Sequence, residues 1–273
     1  MQVIRGKKAL VTGAAAGIGR AIALALAREG ADLYLVDNNA EALGAAAREV
    51  QSLGAKVATS VCDLTQPAQI SATVAALTKR WGALDILVNN AGVAYYGPTH
   101  EMTDAQWSAT LAVNLLAPIQ LTRELLSLLC AQPEAHILNV CSILGLVPMR
   151  KAAAYQTSKY GLVGFTLSLR GEAGRSPLGV TAFCPGFVRT AMIENFATGS
   201  PEQRRRVVPD WACTTADKVG AGAVRAIRRN RAVVVITPFA RVWWWGTRFF
   251  PGGIDWLMRQ GWRPRKRNDA GRP

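Results

Sequence analysis

Short apolar runs recur along the chain and alternate with stretches that have the apolar spacing of amphipathic helices. The helical stretches IGRAIALALAREG and EALGAAAREVQSLG end on glycine, as many helices do at their C-terminus. Because the apolar runs are uninterrupted, both faces of each strand are expected to be buried, which is typical of a parallel sheet covered by helices. We therefore predict one doubly wound α/β domain of about seven strands, residues 1–238. The predicted strands lie near Ala9, Asp32, Lys56, Leu84, His136, Val180 and Ala232.

The pattern changes after the last predicted strand, where residues 239–273 form an aromatic and basic extension. Its stretch ARVWWWGTRFFPGGIDWLMRQGW holds three adjacent tryptophans, Trp243 to Trp245, between arginines. The segment Phe239 to Phe250 is too short and too rich in arginine to span a bilayer. The sequence Pro-Gly-Gly at 251–253 predicts a break before a second helical piece, Ile254 to Gln260.

The formal charge of +14 is concentrated in the last quarter of the chain. Residues 1–203 hold 16 Lys and Arg against 14 Asp and Glu, a net charge of +2, whereas residues 204–273 hold 16 against 4, a net charge of +12. No nucleic-acid recognition module accompanies this basic tail, so we expect no nucleic-acid partner. Its tryptophans, arginines and the RPRKR run at 263–267 predict peripheral contact with an anionic membrane through residues 239–267. Two alternatives stay open, because Trp243 to Trp245 are also suited to capping a pocket or to burial in a subunit interface.

Cysteine spacing and the N-terminal segment bear on location. The five cysteines form no CxxC pair and no His stands at metal-binding spacing, so we predict reduced thiols and no metal site. The basic and apolar N-terminus has some features of a signal peptide, but Arg20 interrupts its apolar stretch and its glycines fit another use. We expect a cytoplasmic protein, located at the membrane face if the tail binds lipid.

A glycine-rich turn, TGAAAGIG, follows the first predicted strand and opens a helix, with glycines at Gly13, Gly17 and Gly19. Such a turn lets the backbone approach a pyrophosphate, whose charge is stabilised at the helix N-terminus. The spacing alone is a weak signal, because glycine is common in turns, but this turn lies between a strand and a helix, where the mechanism needs it. It therefore predicts a dinucleotide cofactor.

The second predicted strand ends at Asp37, which indicates the type of dinucleotide. A carboxylate at this position accepts hydrogen bonds from the adenosine ribose hydroxyls and repels a 2′-phosphate. The nearby Ala16 and Asn38 supply no basic group for such a phosphate. We therefore predict NAD rather than NADP.

A candidate catalytic group lies in the stretch CSILGLVPMRKAAAYQTSKYG. Tyr155 and Lys159 are four residues apart and share one face of a helix. An ammonium group and a positive nicotinamide would both favour the phenolate, so we predict a lowered pKa for Tyr155. Tyr155 would exchange a proton with a substrate hydroxyl, and Ser142, at the end of a predicted strand, would hydrogen-bond the reacting oxygen.

Taken together, these motifs give a resemblance to the short-chain dehydrogenase/reductase family, in its single-domain branch, over about residues 5–237. The matching motifs occur in the family's order and spacing: TGAAAGIG at 12–19, CD at 62–63, NNAG at 89–92, VN ending at Asn114, Ser142, YQTSK at 155–159 and PGFVRT at 185–190. The resemblance implies a Rossmann fold, a nicotinamide cofactor and, because all four catalytic positions are present, an active oxidoreductase. It also implies a homodimer or homotetramer formed through the two long helices that bear Asn114 and Tyr155.

The resemblance implies a role for each matching residue. Tyr155 would be the acid and base, while Lys159 would bind the nicotinamide ribose and lower the pKa of the tyrosine. Ser142 would orient the substrate oxygen, Asn114 would interrupt its helix and hold a water of the proton relay, and Asp63 would hydrogen-bond the adenine. Val188 and Thr190 would reach the nicotinamide amide. Further cofactor contacts are implied for Ile18, Leu64, Asn90, Ala91, Gly92, Pro185 and Gly186.

Specificity in the family lies near the reactive serine and in the loop after PGFVRT, a lid of about residues 187–215. Apolar residues occur around both places. They are Ile143, Leu144, Leu146 and Val147 after the serine, Val93 to Tyr96 after NNAG, and Met192, Ile193, Phe196, Val207, Val208 and Trp211 in the lid. We therefore predict a lipophilic secondary alcohol, of steroid or long-chain type, and its ketone as substrates. Two alternatives stay open: a small polar diol, sugar or short ketone, and an NAD-binding scaffold or sensor without turnover.

Overall fold

The computed structural model describes residues 1–189 and 213–260, together with the backbone of residues 197–198. Its strands are β1 (Lys8–Thr12), β2 (Asp32–Asp37), β3 (Val57–Val61), β4 (Ile86–Asn89), β5 (Tyr95–Tyr96), β6 (Ala135–Val140), β7 (Leu178–Cys184), β8 (Phe187–Arg189), β9 (Ala197–Thr198), β10 (Cys213–Thr215) and β11 (Val233–Val235). Seven of them form a parallel sheet in the order β11-β7-β6-β4-β1-β2-β3, and these are the seven predicted strands. The short pairs β5–β9 and β8–β10 were not predicted, because strands of two or three residues leave no apolar run to detect.

Helices cover both faces of the seven-stranded sheet. They are α1 (Gly17–Arg28), α2 (Ala40–Ser52), α3 (Pro67–Trp81), α4 (Asp104–Leu111), α5 (Ala117–Cys130), α6 (Ala153–Ala173), α7 (Ala216–Arg229), α8 (Pro238–Phe249) and α9 (Pro251–Gln260). Side chains of α1, α2 and α7 form one core layer, and side chains of α3, α5 and α6 form another. Ala9 and Val11 of β1 pack into the first layer and Leu10 packs into the second, which explains why the apolar runs are unbroken.

The parallel arrangement brings the carboxyl ends of the strands to one edge of the sheet. β1 lies between β2 and β4, so the strand order reverses there, and such a switch point leaves a crevice outside the carboxyl ends. The glycine turn follows β1, Asp37 ends β2, and Ser142 stands two residues after β6. The fold thus gathers predicted site residues from distant parts of the chain at one place.

The break in the C-terminal extension is at Phe250, between α8 and α9. Pro251 to Gly253 do not separate the two helices as predicted: they form the first turn of α9, which begins at Pro251 rather than at Ile254. Proline is tolerated in a first turn because its missing N–H would have no helical partner there. None of the helices within residues 1–189 and 213–260 is long and apolar enough to cross a bilayer.

Candidate active site

A cleft of about 310 Å³ opens at the carboxyl edge of the sheet. It gathers eleven of the residues predicted to bind the cofactor or to react, namely Gly13, Gly17, Ile18, Asp37, Asp63, Leu64, Asn90, Ala91, Gly92, Tyr155 and Lys159. Val113, Val140 and Cys141 also line the cleft and were not predicted. Val140 and Cys141 immediately precede Ser142, so their position next to the predicted serine was the signal that could have identified them.

Glycine is required at Gly13 because the turn after β1 approaches the loop after β4 closely. Gly13 has φ of +64°, and a Cβ there would lie 2.8 Å from the Cα of Ala91, which follows β4. Gly19 does not line the cleft; a Cβ on it would collide with the carbonyl oxygen of Gly13, so this glycine lets α1 pack against the turn. Within the described part of the chain, no side chain caps the N-terminus of α1, whose N-cap residue is Ala16. The main-chain N–H groups at this helix end are therefore suited to a phosphate.

Asp37 is held in the cleft wall by the backbone. Its Oδ2 accepts a hydrogen bond from the N–H of Ala15 at 3.0 Å, and its Oδ1 accepts one from the N–H of Asn39 at 3.0 Å. Among the described residues that line the cleft, Lys159 supplies the sole positive charge, and it lies in a different part of the wall. A carboxylate at the end of β2 and a glycine turn at the helix N-terminus fit the ribose and the pyrophosphate of a nicotinamide dinucleotide.

Two further predicted residues fix the cleft walls. Asp63 Oδ1 accepts hydrogen bonds from the N–H and the hydroxyl of Thr65 at 2.9 and 2.8 Å, which holds the turn after β3. Asn90 Nδ2 donates to the carbonyl oxygens of Thr12 and Gly13 at 2.9 and 3.2 Å. The side chain of Asn90 therefore ties the end of β4 to the glycine turn, in line with a supporting role next to the cofactor.

The helix that bears Asn114 is interrupted, as predicted. A π-helical turn at Ala112–Leu116 separates α4 from α5, and Asn114 is fully buried in it. Its Oδ1 accepts from the N–H of Val93 at 2.8 Å, and its Nδ2 donates to the carbonyl of Val93 at 2.9 Å and to Ser158 Oγ at 3.1 Å. The amide side chain thus connects the segment after β4 to α6. Its part in holding a water stays a prediction.

Tyr155 and Lys159 lie in the first two turns of α6. Lys159 Nζ donates to the carbonyl oxygen of Val140 at 2.9 Å and lies 5.7 Å from the centre of the Tyr155 ring. Ser142 precedes a short 3-10 turn (Ile143–Gly145), and its Oγ accepts from the N–H of Leu144 at 3.1 Å. Hydrogen bonding from the Ser142 hydroxyl favours the phenolate of Tyr155 and thus acts to lower its pKa.

The predicted lowering of the Tyr155 pKa is not what the residues of the chain produce. Burial raises the pKa of the Tyr155 hydroxyl from its ordinary value of 10.0 to about 12, and the hydrogen bond with Ser142 opposes this rise only in part. Burial also lowers the pKa of the Lys159 ammonium. The prediction rested on the lysine and on a positive nicotinamide, and the chain alone supplies only the lysine, so the cost of placing a phenolate in the protein interior is the larger effect here.

None of the described residues in the turn after β7 that were predicted to contact the cofactor, Pro185, Gly186 and Val188, lines the cleft. Gly186 lines a second cavity, described next, instead of the cleft, and the buried Val188 packs into the core layer of α1, α2 and α7. Pro185 accepts a hydrogen bond from the N–H of Ile143 at 2.8 Å and so connects this turn to the segment after Ser142. Thr190 lies outside the described residues, as does the lid from 191 to 212 apart from the backbone at 197–198.

A second cavity, of about 240 Å³, begins at the residue next to Ser142. Its lining is almost entirely apolar: Ile143, Leu144, Val147, Pro148, Met149, Gly186, Phe187, Phe239, Ala240, Trp243 and Met258. Leu146 was predicted near the substrate, but it packs into the core beside this cavity. Trp243 comes from α8 and Met258 from α9, so the C-terminal helices form one wall. We call this space the apolar cavity.

Comparisons with known proteins agree with this geometry. Residues 7–200 match the family described as short chain dehydrogenase. The chain is 42% identical over 188 residues to the granaticin polyketide synthase putative ketoacyl reductase 1 of Streptomyces violaceoruber, which covers 68% of this chain and 69% of that protein.

Two solved structures share the fold and differ in the dinucleotide that they contain. A short-chain dehydrogenase/reductase from Burkholderia phymatum in complex with NAD superposes with a TM-score of 0.81 at 25% identity, over 94% of this chain and 97% of that one. A metagenomic short-chain oxidoreductase in complex with NADP superposes with a TM-score of 0.73 at 31% identity, over 86% and 98%.

Proposed function

The chain belongs to the short-chain dehydrogenase/reductase family, and from this premise we propose that it interconverts a lipophilic secondary alcohol and its ketone with NAD as the cofactor. The observation that carries the proposal is the apolar cavity, which begins at the residue after Ser142. Its lining begins in sequence at Ile143, directly after Ser142, and is almost purely apolar. A pocket of this kind binds a hydrocarbon part of a substrate and leaves its polar oxygen at the serine.

The catalytic roles follow from the contacts of the side chains. A bound nicotinamide would supply or accept the hydride. In ketone reduction the Tyr155 hydroxyl donates a proton to the substrate oxygen, and in alcohol oxidation its phenolate takes that proton back. Ser142 holds the same oxygen by a hydrogen bond. Lys159, fixed by the carbonyl of Val140, places a positive charge 5.7 Å from the phenol ring and stabilises the phenolate.

The choice of NAD rests on Asp37. Its carboxylate lies in the cleft wall with Asn38 and Ala16, and none of these three residues attracts a 2′-phosphate. Because the solved neighbours include one NAD complex and one NADP complex, the proposal of NAD relies on this local charge.

A ketone is the proposed substrate because a relative with 42% identity is described as a ketoacyl reductase. The test is consumption of NADH and NADPH, followed by the absorbance of the reduced nicotinamide, with ketones from short hydroxyketones to long-chain and steroid ketones. We expect higher kcat/KM for long-chain or steroid ketones with NADH. Turnover of short polar ketones alone would overturn the substrate class, and cofactor binding without turnover of any ketone would identify a scaffold or sensor.

The family is commonly oligomeric, and we infer a homodimer or homotetramer formed through α5, α6 and the π-helical turn between α4 and α5. Leu116, Tyr160 and Leu167 support this, because these apolar or aromatic side chains are exposed on the elements concerned. Light scattering of the purified protein is expected to give two or four times the chain mass of 29.3 kDa. Leu167→Asp should shift the mass toward that of the monomer, and the control Val3→Asp, at an exposed site near the N-terminus, should not. A monomeric wild type would contradict the inference.

We also keep a cytoplasmic location, with contact between residues 239–267 and an anionic membrane, as part of the proposal. The thiols of the five cysteines are all free, which suits a reducing compartment. Exposed aromatic side chains on α8 and α9 support the membrane contact for residues 239–260. Residues 261–267, which include the RPRKR run, lie outside the described part of the chain.

A further inference from the structure

The helix pair formed by α8 and α9 has apolar side chains on two opposite faces. On α8, Ala240, Trp243 and Trp244 pack toward the core beside the apolar cavity. Val242, Trp245 and Phe249 are spaced by three and four residues, so they share the opposite side of the same helix. All three are exposed, and the rings of Trp245 and Phe249 stack at 5.2 Å. Large apolar side chains exposed together on one side of a helix are typical of a surface that contacts a partner.

In α9, too, some apolar side chains are half-buried and others are exposed. Ile254 and Met258, four residues apart, are half-buried, and Met258 lines the apolar cavity. Trp256 and Leu257 point away from the core and are exposed. We define the outer face of the helix pair as the side chains Val242, Trp245, Phe249, Phe250, Trp256 and Leu257, which are 48% to 72% exposed. Contiguous apolar surfaces of this kind on soluble domains mark sites of protein or membrane contact.

The charges beside the outer face favour an anionic lipid surface over a second copy of the chain. Arg241 and Arg248, seven residues apart, lie on one flank of α8 and are exposed. Neither forms an ion pair with a described residue, and Arg241 Nε donates to the carbonyl of Val235 at 2.9 Å. Asp255, the acidic residue of the helix pair, is already paired with Arg259 at 2.9 Å. In a symmetric contact between two outer faces, the arginines would meet each other without a carboxylate, which is repulsive.

Tryptophan and arginine together are suited to the boundary between lipid headgroups and acyl chains. The indole ring is apolar with one polar N–H, and arginine reaches phosphate while its stem stays in apolar surroundings. Each basic residue near an anionic leaflet strengthens binding, and exposed aromatic rings add apolar burial. Both features occur on one side of the helix pair.

The inner side of the same two helices bounds the apolar cavity through Phe239, Ala240, Trp243 and Met258. A bilayer on the outer face would therefore be separated from the cavity by the thickness of this helix pair alone. We propose that the outer face docks on an anionic bilayer and that the lipophilic substrate reaches the apolar cavity from that bilayer rather than from water. The second half of this proposal rests on the proposed enzyme activity, whereas the first half assigns the proposed membrane contact to particular side chains and does not depend on that activity.

The docking test compares two variants of the full-length protein. Trp245→Asp combined with Phe249→Asp places two anions on the outer face and leaves the cavity lining unchanged. Val3→Asp is the matched control, because it places an anion on an equally exposed apolar residue elsewhere. Calorimetric binding of NADH checks that each variant is folded. The probe is vesicles of phosphatidylcholine with equal parts of phosphatidylglycerol, compared with vesicles of phosphatidylcholine alone.

We expect wild type and Val3→Asp to co-sediment with the anionic vesicles, and the double variant to partition at least about tenfold less, because anions replace buried rings beside an anionic surface. Arg248→Glu should weaken binding to the anionic vesicles as well. Equal sedimentation of wild type and double variant, or sedimentation of neither, would overturn docking by the outer face. Dissociation of a wild-type oligomer by the double variant would also overturn it, since the outer face would then be a subunit interface.

The route of the substrate needs an activity measurement. A long-chain ketone dissolved in the anionic vesicles should be reduced at least about tenfold more slowly by the double variant, in proportion to its lost partition, while a water-soluble short ketone should be reduced at the wild-type rate. Equal rates on the vesicle-borne ketone despite lost docking would overturn the route. If wild type reduces neither ketone, the proposed function fails, and the sedimentation result still decides docking.

Discussion

Replacing Tyr155 with phenylalanine is expected to lower kcat for ketone reduction by about 10²–10⁴-fold, the range that a positioned proton donor contributes. The substitution removes only the hydroxyl and keeps the ring, which lies 5.7 Å from Lys159 Nζ. The ammonium, the serine and the walls of the cleft remain in place, so affinity for the cofactor should change little. Steady-state consumption of reduced nicotinamide gives kcat, and calorimetry gives the affinity.

Tyr160 provides the matched control for this experiment. It is the next tyrosine along α6, it is 45% exposed, and it lines neither the cleft nor the apolar cavity. Tyr160→Phe should therefore keep near-normal turnover. If Tyr155→Phe also kept near-normal turnover while binding cofactor, Tyr155 would not be the proton donor, and the catalytic assignment would fail.

The raised pKa of Tyr155 adds a pH signature to the same experiment. Below a pKa of about 12 the phenol is the main form, so the proton donor for reduction is present throughout the neutral range. Alcohol oxidation needs the phenolate, whose fraction increases as the pH rises toward the pKa. The oxidation rate of wild type should therefore increase with pH. Positive charge from a bound cofactor would move this rise to lower pH without changing its sign, and Tyr155→Phe should lose it.

The fold and much of the cleft could be predicted because their signals are local. The unbroken apolar run of β1 is followed directly by the glycine turn. The first feature predicts a buried strand, and the second predicts a turn whose backbone can approach another group closely, as Gly13 approaches Ala91. Tyr155 and Lys159 are one helical turn apart, so their proximity follows from helix geometry alone. The position of Asp37 at the edge of the sheet follows once the end of its strand has been predicted.

The remaining features depend on contacts between distant segments, which local patterns do not contain. In the chain alone, burial is the largest influence on the pKa of Tyr155 and raises it, whereas the predicted lowering rested on the lysine together with a positive nicotinamide. Trp243 and Met258 reach the apolar cavity from helices that start about a hundred residues after Ser142. The start of α9 at Pro251 was missed because Pro-Gly-Gly is typical of a turn as well as of a weak first helical turn.

Asp37→Asn is expected to reduce the preference for NADH over NADPH, measured as the ratio of their kcat/KM values, by roughly 10²-fold. The carboxylate would give up charge-assisted hydrogen bonds to the ribose hydroxyls, each about 1.5–3 kcal/mol, and its repulsion of a 2′-phosphate would also disappear. Asparagine retains an acceptor for the N–H of Ala15 or Asn39, so the loop that Asp37 holds at 3.0 Å should keep its shape. Combining it with Asn38→Arg should move the ratio further, because a guanidinium beside the cleft would pair with the phosphate.

Asp32→Asn, at the opposite end of β2, is the control, since its carboxylate accepts from the N–H of Lys56 at 3.0 Å and does not line the cleft. It should leave the ratio unchanged even if it costs some stability. A wild type that already prefers NADPH, or an Asp37→Asn variant with an unaltered ratio, would show that the ribose is recognised elsewhere. The role of the Asp37 carboxylate would then be structural: it would hold the backbone at Ala15 and Asn39 through its two hydrogen bonds.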